Sequence, residues 1–300
     1  MTIIVLGAGA IGTLYGAWLS TANDVTLVAR RDHAERIEKD GVRITGLEEA
    51  TYRVKAATGI RGIERDTVIF LTTKVTGSAA AIEPIVDLVR PDTTIVCLQN
   101  GLRSEEVVAD IVGTRCLVVR GITHFGAIFA APGVVALKAA GFTLLAPSPR
   151  SADIAETLTK SRLDGRVSNS MKTEIWRKLI FNCIVNPLTA MTRMEVGWIS
   201  DERLDPVKRL IIDECLQVAR REGVTFDVDF VRVVNETFRP SRNLSSMHQD
   251  LLKGKPTEID HLNGAVVELG RRLGITCPAN EALVTMIKAL EHANRSSTGG

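Results

Sequence analysis

The sequence predicts an α/β chain: a doubly wound, largely parallel sheet in the first half and an all-helical second half. Three observations predict this. The apolar run Ile3-Ile4-Val5-Leu6 feeds directly into Gly7-Ala8-Gly9-Ala10-Ile11-Gly12, and a helical pattern (Leu14, Ala17, Trp18) follows. Runs rich in β-branched residues then alternate with helical patterns, which implies parallel strands covered by helices. From about residue 168 onward the apolar period is helical throughout. Two domains follow from this shift, at residues 1–167 and 168–300, and a chain of 300 residues has room for both.

The first element sets the class of ligand. A strand, a tight turn with glycines spaced G-x-G-x-x-G and a helix form the dinucleotide fingerprint of a Rossmann-type domain. Gly7 allows the turn, Gly9 lets a pyrophosphate approach the backbone, and Gly12 lets helix and strand pack closely. The N–H groups that open the helix, with Ala8, Ala10 and Ile11 between the glycines, favour a phosphate there. The second strand, 24–30, ends in Arg30-Arg31. At that strand end an NAD site usually carries an acidic residue for the ribose 2′-hydroxyl, whereas a guanidinium suits a 2′-phosphate. NADP is therefore the expected cofactor; Asp32 takes the NAD role only if the strand ends later.

Further strands are expected at 52–58, 68–73, 93–98 and 116–122, with helical patterns at 78–89 and 104–111. The run 134–145, with Gly141 inside it, reads as later strands or a hairpin at the sheet edge, and the sheet pattern stops near Pro147-Ser148-Pro149. Helices are expected at 174–192, 206–222, 257–273 and 278–293. Pro187 lies inside the first of these and, lacking a backbone donor, predicts a kink or break.

Bulk properties narrow the function. An apolar content of 45% is ample for real cores, and a formal charge of +2 with no basic block does not point to nucleic acid or a membrane surface. The five cysteines, Cys97, Cys116, Cys183, Cys215 and Cys277, are scattered and contain no C-x-x-C pair. That argues against a disulfide framework and a zinc site, and it fits a reducing, cytoplasmic compartment. The N-terminal apolar run is short, has no basic segment before it and enters the glycine motif, so it reads as a buried strand rather than a signal peptide. No apolar stretch is long enough to span a bilayer. Apolar faces on the later helices would permit a homodimer.

A nicotinamide cofactor implies hydride transfer. Reducing a ketone then needs a proton donor at the carbonyl oxygen and polar groups that hold the rest of the substrate. Lys74 and Asn100 are expected to end two sheet strands, at the carboxyl edge where open α/β folds bind ligands. Lys178, Asn182 and Asn186 recur every four residues and form one polar stripe on an otherwise apolar helix. Such a stripe must find partners or face a cleft. Burial or neighbouring cations would make Lys178 a better proton donor near neutral pH. A third polar cluster combines Ser245-Ser246-Met247-His248-Gln249-Asp250 with Glu258 and its neighbours. Ser246 suits a carboxylate or a helix N-cap, and the charge of Glu258 also suits the start of the next helix. No Ser-His-Asp or metal-ligand spacing is present.

Together these residues resemble the ketopantoate reductase (2-dehydropantoate 2-reductase) family. Five segments carry the resemblance: GAGAIG at 7–12, the strand leading to Lys74, LQNG at 98–101, WRKLIFNCIVNPLTA at 176–190 and SSMHQDLLKGKPTEIDHLNG at 245–264. It runs over nearly the whole chain. It implies a helical second domain of the 6-phosphogluconate dehydrogenase C-terminal type, and NADPH-dependent reduction of a 2-keto acid to (R)-pantoate for pantothenate and coenzyme A synthesis. It implies Lys178 as the proton donor, Asn182, Asn186 and Ser246 as substrate contacts, and Glu258 at the junction of cofactor and substrate. It also implies Arg30 on the 2′-phosphate, Lys74 and Asn100 by the nicotinamide, and a further cofactor contact near Gly126. The sequence departs from the family at Val196, where characterised members carry a substrate-binding asparagine. That departure keeps open a related reductase acting on another 2-keto acid. A non-catalytic NADP-binding sensor is the alternative from another class. Against it stand the retained Lys178 stripe and the lack of any accessory DNA-binding segment.

Overall fold

The computed structural model describes residues 1–297, which divide into two compact units, Met1–Met171 and Lys172–Gly300. The first unit contains twelve strands and five helices: β1 (Thr2–Leu6), α1 (Ala10–Leu19), β2 (Asp24–Val28), α2 (Arg31–Asp40), β3 (Val42–Gly46), β4 (Ala50–Tyr52), β5 (Lys55–Ala57), β6 (Val68–Leu71), α3 (Ser78–Ile82), β7 (Thr94–Cys97), α4 (Ser104–Val112), β8 (Leu117–Thr123), β9 (Gly126–Ala131), β10 (Val134–Ala139), β11 (Thr143–Leu145), α5 (Ser151–Lys160) and β12 (Gly165–Val167). An eight-stranded sheet has the order β12-β11-β8-β7-β6-β1-β2-β5. The chain starts in the middle of this sheet at β1, builds outward to β2 and β5, then returns to β6 on the other side. Strands β5 to β8 in that order are parallel throughout.

Alternation along β1 divides the core. Ile3 and Val5 pack with Leu14, Trp18 and Leu27 on one face; Ile4 and Leu6 pack with Ile82, Val108 and Val112 on the other. Strands buried on both faces by helices read as continuous apolar runs, which is why the glycine motif follows an unbroken one.

The sequence expectation of a single strand at 52–58 does not hold. Its residues divide between β4, which pairs antiparallel with β3, and β5, which pairs parallel with β2 at the main sheet's edge. Residues 134–145 do form later strands, the first alternative of the sequence reading, but not an edge hairpin. β10 joins β9, β3 and β4 in a separate four-stranded sheet, while β11 lies inside the main sheet between β8 and β12. The sheet also continues past Pro147-Ser148-Pro149, because α5 returns the chain to add β12 beside β11. Tertiary pairing, invisible to local pattern, decided each of these.

One histidine ties α2 to the small sheet. The Gly133 N–H donates to His33 Nδ1 at 2.9 Å, so Nε2 carries the ring proton and donates to Thr13 Oγ1 at 3.0 Å. Burial holds the His33 pKa below its ordinary 6.5, opposed by neighbouring Asp32.

The second unit comprises α6 (Met171–Thr192, whose first residue closes the first unit), α7 (Asp205–Arg221), α8 (Phe230–Phe238), α9 (Ser246–Leu252), α10 (Asn263–Arg272) and α11 (Pro278–Ser297). The helix expected at 257–273 starts late. Residues Ile259–His261 form a separate 3-10 turn, and α10 begins only at Asn263. Helix α6 is continuous through Pro187, so no break occurs there. Proline cannot donate to the carbonyl four residues back, which is that of Cys183. Asn263 Nδ2 supplies the missing donor at 3.0 Å and also reaches Asn280 Oδ1 at 2.9 Å. Asn280 in turn binds Glu214, whose carboxylate accepts the N–H groups of Ala279 and Asn280 at 2.7 and 2.9 Å and so caps the start of α11. Among the described residues no helix is long and apolar enough to cross a membrane.

Two outcomes test this reading. Replacing the fully buried Asn263 by leucine leaves the Cys183 carbonyl without its donor and should cost about 1–3 kcal/mol in urea unfolding. For His33, the unfolded chain takes up a proton below about 6.5 that the folded chain refuses. Its contribution is therefore intact above that pH and is lost as the pH falls toward the lowered folded value. The urea midpoint should drop between pH 7.5 and 5.5, and His33→Gln should flatten that part of the slope.

Candidate active site

Parallel register brings one set of side chains to a common edge. Leu6 lies beside Val28 and Leu71, and Leu71 beside Cys97. The segments that follow β1, β2, β6 and β7 therefore leave the sheet together, at its carboxyl edge. The strand order reverses at β1 and β6, and open α/β folds bind ligands outside such a switch point. Gly7 has φ +103°, and a Cβ there would lie 2.6 Å from the Thr73 methyl. At Gly12 a Cβ would meet the Gly7 carbonyl at 2.5 Å. At Gly9, by contrast, a Cβ would approach nothing nearer than the Gly7 oxygen at 4.0 Å. Two glycines are thus demanded by the protein's own packing, while Gly9 borders open space at the start of α1. No side chain caps that helix start, and its first turn contains no acidic residue. Ala10, Ile11 and Gly12 open α1 here, with Ala8 immediately before Gly9, so the residues present fit a pyrophosphate.

Strand β2 ends at Val28, and Arg30 occupies the N-cap position of α2 with an exposed side chain. Asp32 lies inside the first turn of α2. Arg30 thus follows the strand end by two residues and Asp32 by four. Lys74 and Asn100 do not end strands as expected; each sits three residues beyond, past Leu71 and Cys97 respectively. Side chains take over where the ladder stops. Thr72 Oγ1 donates to the Gly7 carbonyl at 2.8 Å, and Gln99 Nε2 donates to Thr73 Oγ1 and Ser78 Oγ at 3.2 and 2.6 Å. Gly126 opens β9, three residues past the end of β8, where a Cβ would press on that of Ala139 at 3.0 Å.

In the helical unit, α6 presents Lys178 and Asn182, both half-buried, and Asn186, which is 7% exposed. Asn182 Nδ2 is buried with no hydrogen-bond partner, a donor for which the fold itself supplies no acceptor. One turn beyond Asn186, the Thr189 hydroxyl donates to Ser245 Oγ at 2.8 Å. Ser245, not Ser246, is the N-cap of α9, accepting from the His248 N–H. Ser246 is left exposed at the first position of α9, beside the end of the stripe. Glu258 is half-buried and precedes the 3-10 turn, not an α-helix, on the segment that Asn263 anchors to the Cys183 carbonyl. The Thr189–Ser245 contact thus sets Ser246 near the Asn186 end of the stripe, with Asn182 and Lys178 one and two turns further back along α6.

Two residues absent from the sequence reading, Asn243 and Arg120, stand out. Val196 is buried, and its N–H donates to the Asn243 carbonyl at 2.7 Å. An asparagine from the α9 approach therefore adjoins the position where the family carries its own. Arg120, buried in β8, reaches the Gly101 carbonyl at 2.9 Å. A lone arginine inside an apolar strand run was the available signal. Burial raises four of the thiols, Cys97 up to about 12, Cys116 and Cys277 to about 11, and Cys183 well above the ordinary thiol value. Among the described residues no group of His, Cys, Asp and Glu could hold a metal ion.

Comparison with known proteins finds relatives along nearly the whole chain. The family model for ketopantoate reductase PanE/ApbA matches residues 3–150, and that for its C-terminal domain matches residues 170–291. A 2-dehydropantoate 2-reductase of Pyrococcus horikoshii is 35% identical, covering 97% of this chain and 98% of the relative. The crystal structure of a PanE/ApbA family ketopantoate reductase from Ralstonia eutropha superposes with a TM-score of 0.90 at 28% identity, covering 98% of this chain and 100% of that one. A D-mandelate dehydrogenase solved with NADH and anilino(oxo)acetate superposes with a TM-score of 0.89 at 25% identity, over 98% and 99% of the two chains. The chain belongs to the ketopantoate reductase family of oxidoreductases.

Proposed function

We propose that the protein is an NADPH-dependent 2-dehydropantoate 2-reductase, acting in the cytoplasm to make (R)-pantoate for pantothenate and coenzyme A synthesis. The observation that carries this reading is the α6 stripe, in which Lys178 precedes Asn182 by one turn and the buried Asn182 amide has an unmet donor. Bound NADPH would supply the hydride to the keto carbon. The Lys178 ammonium gives its proton to the keto oxygen, which becomes the hydroxyl of the product. Asn182, Asn186 and Ser246 bind the remaining polar groups of the substrate, and Glu258 orients the substrate's hydroxyl side near the reacting carbon. In the first unit the α1 start and its glycines hold the pyrophosphate, Arg30 takes the 2′-phosphate, and Lys74, Asn100 and Gly126 line the nicotinamide end. The residues 1–167 thus serve the cofactor and 168–300 the substrate.

Val196 supports a second reading. A valine offers none of an asparagine's hydrogen bonds, and a D-mandelate dehydrogenase shares the fold. A 2-keto acid with a different substituent is then the substrate, with the same residues at the keto group.

The test is oxidation of NADPH by purified protein with a panel of branched and aromatic 2-keto acids. Turnover with ketopantoate foremost is expected; preference for an aromatic keto acid would select the second reading, and no turnover with any would refute both. Lys178→Ala should cut kcat by about 10²-fold or more while NADPH affinity stays within a few-fold. Equal losses would remove the donor assignment. Arg30→Ala should weaken NADPH by roughly tenfold, the worth of a charge-assisted contact, and leave NADH unchanged. Unaltered selectivity would exclude Arg30 from the 2′-phosphate.

A further inference from the structure

Arg120 is the one arginine of β8, in the run Leu117-Val118-Val119-Arg120-Gly121-Ile122, and its side chain is 6% exposed. Burying a guanidinium among apolar strands is unfavourable unless the charge has partners that nothing smaller could serve. Its partners here belong to the turn after β7 and to the start of α4. Nη2 donates to the Gly101 carbonyl at 2.9 Å, and Nη1 lies 3.3 Å from Glu105 Oε2 in the first turn of α4. Nε and Nη1, both buried, have no hydrogen-bond partner, so the bond to Gly101 and the ion pair to Glu105 are the contacts that hold this guanidinium.

The turn needs such a support. Gly101 has φ +91° and Arg103 has φ +56°, so two of three consecutive residues are left-handed. No ladder bond can hold a backbone of that shape. From the β6 side, Gln99 is bonded to Thr73 and Ser78. From the β8 side, Arg120 reaches the Gly101 carbonyl. Asn100 stands between these two anchors.

We propose that Arg120 is a positioning residue for the reaction: from inside the sheet, it holds the Gly101 peptide and hence the direction of the Asn100 side chain. This rests on the proposed role of Asn100 at the nicotinamide end. Arg120 touches neither cofactor nor substrate in that scheme. A planar guanidinium can donate to Gly101 along one direction while its charge faces Glu105 along another, which one lysine ammonium on a flexible stem does far less well.

Full-length Arg120→Met, Arg120→Lys and the pair Arg120→Met with Glu105→Gln test this. The double variant leaves no half-buried carboxylate without its cation, so it keeps the test alive if Arg120→Met does not fold. Amide exchange is first followed without cofactor. Losing one charge-assisted bond should speed exchange over residues 99–106 by roughly tenfold or more, with β1 and β2 unchanged. Kinetics follow: kcat should fall by roughly tenfold or more, NADPH affinity should change by no more than a few-fold, and Arg120→Lys should restore part of kcat. Unchanged exchange at 99–106, exchange raised evenly over the whole first unit, or an intact kcat in a variant with a loosened turn would each overturn the proposal. Should the unaltered protein reduce no 2-keto acid, the functional reading fails by itself, and the exchange measurement still decides whether Arg120 holds the turn.

Discussion

The parallel register of β1 with β2 and β6, and of β6 with β7, is the constraint on which the first unit depends. It sets Leu6, Val28, Leu71 and Cys97 side by side, so four loops leave the sheet at one edge. A slip of one residue would turn each strand's side chains to the opposite face. It would also exchange Ile3 and Val5 with Ile4 and Leu6 between two differently shaped cores. Burial on both faces thus fixes the register, and the register fixes which residues can meet a ligand. Gly7 and Gly12 belong to this constraint as much as to a phosphate, since a Cβ at either would strike the backbone of a neighbouring turn.

The helical unit depends on satisfying polar groups in an apolar interior. Pro187 leaves the Cys183 carbonyl open in mid-helix, and Asn263 fills the gap while binding Asn280, which binds Glu214. Lys208 plays a similar part at the other end. Its fully buried Nζ donates to the Ile199 carbonyl and Asn235 Oδ1 and pairs with Asp205. Removing one member of such a network leaves others buried without partners, which costs more than the bond itself. The consequence for the site is direct. A continuous α6 keeps Lys178, Asn182 and Asn186 on one stripe and delivers Thr189 to Ser245 one turn later.

The two candidate sites are built by different means. At the sheet edge the turns are shaped by glycines and braced by Thr72, Gln99 and Arg120. In the helical unit the polar surface is made of side chains, so single replacements change its chemistry. Val196 is such a replacement, and the adjoining Asn243 shows that its neighbour in space comes from a distant part of the chain.

Local pattern alone carried the order of the chain: a strand entering Gly7-Ala8-Gly9-Ala10-Ile11-Gly12, parallel strands alternating with helices, then helices only. It also carried the residues of the α6 stripe, because periodicity is a property of neighbours in sequence. Pairing between strands was not legible. The division of residues 52–58 between two sheets, the second sheet itself and the return of β12 are set by partners far along the chain. Nor could the sequence show that α6 survives Pro187, since the compensating amide sits at Asn263, or that Ser245 rather than Ser246 caps α9. Spacing announces periodic structure and backbone geometry; a buried polar atom's partner is chosen by packing, and only the tertiary structure brings Arg120 to Gly101 or Thr189 to Ser245.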